Sequence, residues 1–148
     1  MYDVQESLYI FVFIHTVKCM KNKGDNEMSK TGIPFQIINW TSILKTEHAG
    51  ENGLAFWQTL QLPGLRIRIV EYSAGYLADH WCKKGHIVHC LDGEFVSELK
   101  DGEKFFVKKG MTYVVSDELS SHRSTTVNGV KLLIIDGDFL QSINPKHE

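Results

Sequence analysis

Charge of one sign is missing from this chain: 16 Lys and Arg face 18 Asp and Glu, a formal net charge of −2. A nucleic-acid-binding domain carries a basic patch or stripe, and none occurs here, so nucleic acid is excluded as a partner. Cysteine is scarce and odd in number, with three residues, so a secreted disulfide framework is excluded. Free thiols fit a reducing, cytoplasmic setting. No apolar run is long enough to span a bilayer. The most apolar, Ser7 to Val17 (SLYIFVFIHTV), has about ten residues where a membrane helix needs about 20. It is also a poor signal peptide: Asp3 and Glu6 precede it where positive charge belongs, and no small-x-small cleavage site follows. Repeats, a phosphate-binding Gly-rich loop and low-complexity tracts are absent. No pair of carboxylates and no Ser-His-Asp order suggests a hydrolase.

Hydrophobic residues at 43% and charged residues at 23% over 148 positions describe one ordinary globular domain. Residues 1–27 stand apart in composition, the apolar run passing into the polar KCMKNKGDNE. They read as a strand or helix docked on the domain, as a membrane-associating tail, or as an upstream extension outside the functional protein. The last is favoured, because MSKTGIPFQIINW from Met28 looks like a natural beginning. The expected division is therefore an extension at 1–27 and a folded domain at 28–148.

Beyond Ile33 the pattern is almost all strand. IPFQII is a short apolar run, and LAFWQTLQL is rich in aromatic and branched residues before a turn at Pro63-Gly64. LRIRIVEY alternates strictly between apolar and charged residues, the mark of a strand with two different faces. IVHCL and EFVSEL end at Asp92-Gly93 and Asp101-Gly102, both expected as hairpin turns. KFFV, MTYVV, RSTTV and KLLIID follow, with a further turn at Asn128-Gly129. Helix is confined to a turn or two around Thr41 to Thr46. Many short strands at spacings near ten residues indicate an all-β sandwich or barrel.

The densest chemistry lies in GYLADHWCKKGHIVHCLDGEF, Gly75 to Phe95, which holds His80, Cys82, His86, His89 and Cys90. If YLADHWC and HIVHCL are the arms of a hairpin joined by Lys83-Lys84-Gly85, Cys82 stands opposite His86 and His80 opposite Val88. Alternation along strands then places His80, Cys82, His86 and Cys90 on one face and His89 on the other. His80 and Cys82, roughly 7 Å apart, can lean toward a single ion, with His86 reaching it from across the pair. Cys90 lies on the order of 13 Å from Cys82 in that register, too far for a disulfide, and reads as core. His48 and His89 read as surface or packing residues.

The same stretch resembles the first motif of the cupin superfamily, in which a Gly precedes His-x-His and a Glu follows. Gly75, His80, Cys82 and His86 fall on those places, and LDGEF matches the turn that follows. KKGMTYVVSDELSSHRS resembles the second motif, with its single His at His122. The Asp79-His80-Trp81-Cys82 run is most similar to the small family of DHCW-motif cupin-fold proteins. The resemblance covers roughly Ile33 to Phe139 and implies a single antiparallel jelly-roll barrel with a central pocket. Cys82 replaces the second motif His, His86 the Glu, Met111 an Asp and Ser116 a Pro, and His122 comes one residue late.

The implied metal ligands are His80, Cys82, His86 and His122, a set with one thiolate and no carboxylate. Such donors favour Zn²⁺, with Fe²⁺, Ni²⁺ and copper behind it. Arg66 and Arg68 share one face of LRIRIVEY, with Glu71 on the opposite side. A solvated outer face is the favoured reading of the two arginines; facing inward, they would bind an anionic substrate group. Two function classes follow: a metal-dependent protein acting on a small molecule in the pocket, or a non-enzymatic metal or small-ligand sensor. A symmetric homodimer is expected, since IPFQII and LAFWQTLQL offer apolar surface at sheet edges.

Overall fold

A computed structural model describes residues 32–142. The division at Met28 and the apolar run Ser7 to Val17 lie outside the described residues. Eight strands follow one another: β1 (Thr46–Ala49), β2 (Leu54–Leu62), β3 (Leu65–Tyr72), β4 (His86–Leu99), β5 (Lys104–Lys108), β6 (Thr112–Val115), β7 (His122–Thr125) and β8 (Val130–Gly137). Among the described residues helix is limited to two 3₁₀ turns, Trp40–Ser42 and Asp138–Leu140. Residues 32–39, which include IPFQII, form no regular element. Among the described residues no helix is long and apolar enough to cross a membrane.

Every strand pair is antiparallel. The ladder runs β1-β2-β3-β8-β4, and β4 then divides its partners. Its first half, from His86, lies between β8 and β6. Its second half, Glu94 to Leu99, lies between β5 and β7. One long strand thus serves two sheets, which face each other across a shared core of Val70, Val88, Cys90, Phe95, Val107, Val130, Leu132 and Ile134. The hydrogen-bonded ladder does not close on itself among the described strands.

The joint in β4 corrects the expected hairpin at Asp92-Gly93. The pairing with β8 shifts register between Cys90 and Asp92, and Gly93 sits at φ 80°. A bulge bends a strand and changes which face its residues present. His86, Val88 and Cys90 point inward before it, Phe95 and Ser97 after it. Even-numbered positions give way to odd ones, so both halves face the same core. Pro63-Gly64, Asp101-Gly102 and Asn128-Gly129 do form turns between strands. The helical turn expected around Thr41 to Thr46 is present as Trp40–Ser42, and a short strand, β1, follows it from Thr46.

The expected hairpin between YLADHWC and HIVHCL does not form either. Both edges of His86–Cys90 are taken, by β6 and β8, so no ladder position is free for a third strand. The arm carrying Cys82 runs along β7 instead. Ala78 donates to the Ser124 carbonyl at 3.0 Å, and Cys82 and His122 exchange backbone hydrogen bonds at 2.7 and 3.0 Å. Cys82 therefore stands opposite His122, not His86. Gly85 closes the intervening loop by passing close to the Ser116–Asp117 backbone, where a Cβ would lie 2.5 Å from the Asp117 nitrogen.

Candidate metal centre

Three side chains from three segments converge inside the sheets. His86 opens β4 and His122 opens β7, both facing the core at 6% and 3% exposure. Cys82, partly buried, reaches them from the arm paired with β7. One donor atom from each lies within 4.8 Å of the others. The two imidazoles meet edge to face, Nε2 to Nε2 at 2.6 Å. Of the four ligands expected from sequence, the structure brings together Cys82, His86 and His122. His80 lies outside that group: its ring is largely exposed, and Nδ1 is 2.6 Å from the carboxylate of its neighbour Asp79. His89 is on the opposite face of β4, bonded to the Thr112 hydroxyl. Cys90 is fully buried in the core, as a free thiol like Cys82.

The surroundings set the protonation of this group. His122 Nδ1 is 2.8 Å from the Ser120 carbonyl; a carbonyl only accepts, so Nδ1 carries a hydrogen and Nε2 is the atom that faces His86. Burial, then the His122 ring, then Arg68 push the His86 pKa down to about 3, so His86 is neutral. Burial raises the Cys82 thiol, partly offset by its contact with the Lys84 carbonyl. At 2.6 Å, one of the two Nε2 atoms donates to the other. The chemistry of the set suits a divalent ion of intermediate softness: two neutral imidazole nitrogens with Nε2 facing inward, and one thiol able to become thiolate. Zinc–nitrogen bonds of about 2.1 Å at tetrahedral angles place two nitrogens about 3.4 Å apart, so an ion would part the rings by less than about 1 Å. His86 Nδ1, buried and unbonded among the described residues, would then carry the imidazole proton.

These groups line a cavity of about 100 Å³, whose wall includes Trp57, Arg68, Tyr72, Tyr113, Ser124 and His80. Tyr113 is an addition the sequence did not mark; its hydroxyl is 3.5 Å from His86 Nε2, and burial drives its pKa upward, keeping the phenol protonated. Arg68 corrects the expectation of a solvated outer face. It is 7% exposed, and its guanidinium sits over the Trp57 ring at 4.9 Å. Arg66, half-buried, makes a two-pronged pair with Asp136 at 3.0 and 3.1 Å, and Arg68 Nη2 reaches the same carboxylate at 2.9 Å. Asp136, which stands opposite Arg66 in the β3–β8 pairing, was missed from sequence, although a carboxylate ending the apolar run KLLIID was the available signal. The loop before His86 is braced by Asp117, which accepts from the Gly85 amide and pairs with Lys84 at 3.0 Å.

No family model matches the chain, and no curated protein matches it in sequence. Solved structures do match in shape. The ectoine synthase of P. lautus superposes with a TM-score of 0.58 at 18% identity, covering 70% of this chain and 78% of that one. A predicted oxalate decarboxylase from Thermotoga maritima gives 0.59 at 15% identity, covering 69% of this chain and 99% of the other. An RmlC-like cupin from Shewanella frigidimarina gives 0.57 at 15% identity over 70% and 91% of the two chains. At these identities the likeness is one of fold.

Proposed function

Starting from a chain with the cupin fold, we propose that it holds one divalent metal ion through Cys82 Sγ, His86 Nε2 and His122 Nε2, and that the ion serves a small molecule in the adjoining cavity. The observation that carries this is the convergence of three ligating atoms within 4.8 Å in the wall of a cavity. One thiolate and two imidazoles, a comparatively soft donor set, favour Zn²⁺, with Fe²⁺, Ni²⁺ and copper behind it. Three protein ligands leave a position open, the arrangement of reactive zinc centres rather than closed structural ones. A metal there supplies Lewis acidity to a bound ligand. His80, held by Asp79 in the cavity wall and largely exposed, stands outside the ligand set. A sensor that binds a ligand without converting it would use the same centre.

The reading extends to assembly and location. A symmetric homodimer is supported by exposed apolar residues ahead of β1, and free Cys82 and Cys90 suit a reducing cytoplasm. The deciding experiment is elemental analysis of the purified protein, followed by Co²⁺ substitution. About one equivalent of metal per chain is expected, with a thiolate-to-cobalt band in the near ultraviolet. A protein that holds no metal and takes up none of Zn²⁺, Fe²⁺, Ni²⁺, Cu²⁺ or Co²⁺ defeats the reading, leaving the two histidines as a hydrogen-bonded core pair.

A further inference from the structure

Apart from the metal ligands, the cavity wall has a marked electrostatic bias. Its ionisable side chains are Arg68, Arg123 and Tyr72, Tyr76 and Tyr113, with His80 at one side; no Asp or Glu lines it among the described residues. Arg123 is matched, its Nε donating to Glu98 at 2.9 Å. Arg68 is not. It shares the single carboxylate of Asp136 with Arg66, which takes both oxygens. Two guanidinium cations against one carboxylate leave an excess positive charge in a region where Arg68 and Asp136 are 7% and 3% exposed. Arg68 thus shares its counter-ion with Arg66, whose side chain is 34% exposed, and an anion in the cavity gives the buried guanidinium an acceptor of its own.

A second observation concerns hydrogen bonds. Arg68 spends Nη2 on Asp136, while its Nε is buried and has no acceptor among the described residues. The Trp57 indole N–H, from the ring beneath that guanidinium, is likewise buried and unbonded. Both side chains belong to the wall of the metal cavity. Buried donors without acceptors are rare in folded proteins and mark a missing partner. A divalent ion with one thiolate adds further positive charge to the same small space.

We infer that the cavity takes a small carboxylate anion, held between the metal position and the Arg68 guanidinium. This rests on the metal reading above and names the class of ligand. Size sets its limit: about 100 Å³ is well below the roughly 300–1,000 Å³ of sites for drug-sized ligands, so a short organic acid fits and a nucleotide does not. Planar, delocalised carboxylates match guanidinium donors in shape and charge, which distinguishes Arg from a generic cation.

Glycolate and its neutral counterpart glycolamide, titrated calorimetrically into the metal-loaded full-length protein, form the test. Glycolate is expected to bind at least tenfold more tightly. Arg68→Gln is expected to weaken glycolate at least tenfold while its metal content stays at the wild-type level. If Arg68→Gln does not fold, Arg68→Lys keeps a cation beside Asp136 but loses the planar guanidinium donors. It is expected to bind glycolate severalfold more weakly, wild-type affinity in it overturning the inference. Equal binding of the two ligands, no binding of either, or an Arg68→Gln protein that binds glycolate like wild type each overturns the inference. If the chain takes up no metal, the titration is run on the metal-free protein. Glycolate binding abolished by Arg68→Gln then upholds the anion site while the metal reading falls, and no glycolate binding ends both.

Discussion

His86 and His122 are 36 positions apart and belong to different sheets, yet their Nε2 atoms meet at 2.6 Å with ring planes at 80°. The contact depends on β4 serving both sheets. Its first half carries His86 beside β6 and β8, and its second half pairs with β7, which begins at His122. Cys82 joins because its arm pairs with β7 at that residue. His86 and His122 are therefore positioned by strand ladders and Cys82 by an isolated backbone bridge to His122, the kind of support a precise ligand set needs.

Face assignment along β4 separates two histidines three positions apart. His86→Ala removes a ligand and is expected to cost metal occupancy sharply, with more than tenfold weaker retention against a chelator. His89→Ala, which loses only a hydrogen bond to Thr112, is expected to keep wild-type occupancy. Elemental analysis after dialysis against a chelator compares them. Equal loss in both variants would show that the inward face of β4 is not the metal face.

Metal affinity is expected to rise with pH. Burial raises the Cys82 thiol above its ordinary value, so at neutral pH the metal displaces a proton to obtain the thiolate. Below the thiol pKa, one released proton makes affinity climb about tenfold per pH unit. His86, already neutral with its pKa near 3, adds no proton release around pH 7. In the metal-free protein the same His86 shift works on stability. The unfolded chain takes up a proton near pH 6.5 that the folded chain refuses, so the stabilisation is present above that pH and is lost as pH falls toward about 3. Competition with a chromophoric chelator at several pH values reads the slope, and Cys82→Ser is expected to flatten it. A slope equally steep in the serine variant would exclude the thiol as its source.

Local pattern made some of this legible and left the rest hidden. LAFWQTLQL and LRIRIVEY are β2 and β3 to the residue, because a two-stranded unit around Pro63-Gly64 is set by local alternation and turn chemistry. Asp101-Gly102 turns the chain between β4 and β5, while the identical dipeptide at Asp92-Gly93 does not. The difference is tertiary: at Gly93 the strand passes from one sheet to the other, with Gly129 packed against it. Cys82 and His86 are close in sequence, so a hairpin between them was the economical expectation. The competing edges of β6, β8 and β7 decide otherwise, and those arrive 25 to 50 residues later in the chain. Convergence of Cys82, His86 and His122 survives the wrong register because His122 stands opposite Cys82 instead. Arg68 turned inward because Asp136 lies on the neighbouring strand, opposite Arg66.

The joint in β4 can be tested directly. Gly93 has φ 80°, and a Cβ there would lie 2.7 Å from the Gly129 carbonyl oxygen. Gly102 has φ 100° with open space around it, so it isolates backbone strain from crowding. Gly102→Ala is expected to cost about 1 kcal/mol and Gly93→Ala about 2–3 kcal/mol, since steric overlap adds to the strain. Thermal melts would place Gly93→Ala several degrees below Gly102→Ala. Coincident melts would mean that β4 and the β7–β8 turn do not depend on this close approach.

Assembly is the remaining consequence of the exposed apolar surface. Phe35, Ile37 and Leu44 are 95%, 86% and 87% exposed, and they precede β1, which among the described residues is an edge strand paired only with β2. Phe35 and Ile37 are two positions apart, so in extended backbone they present one face. Large apolar side chains left in water beside an open sheet edge invite pairing with a second copy, and identical patches generate a two-fold dimer. Light scattering at micromolar concentration is expected to give a mass near twice the 16.9 kDa of one chain. Phe35→Ser/Ile37→Ser is expected to reduce it to the monomer while leaving the melt little changed, because neither side chain contributes to the core. Phe105 and Phe106, exposed on β5, provide the control face. A dimer abolished by Phe106→Ser but indifferent to the Phe35/Ile37 pair would place the interface there, and a wild-type protein that stays monomeric would remove the expectation altogether.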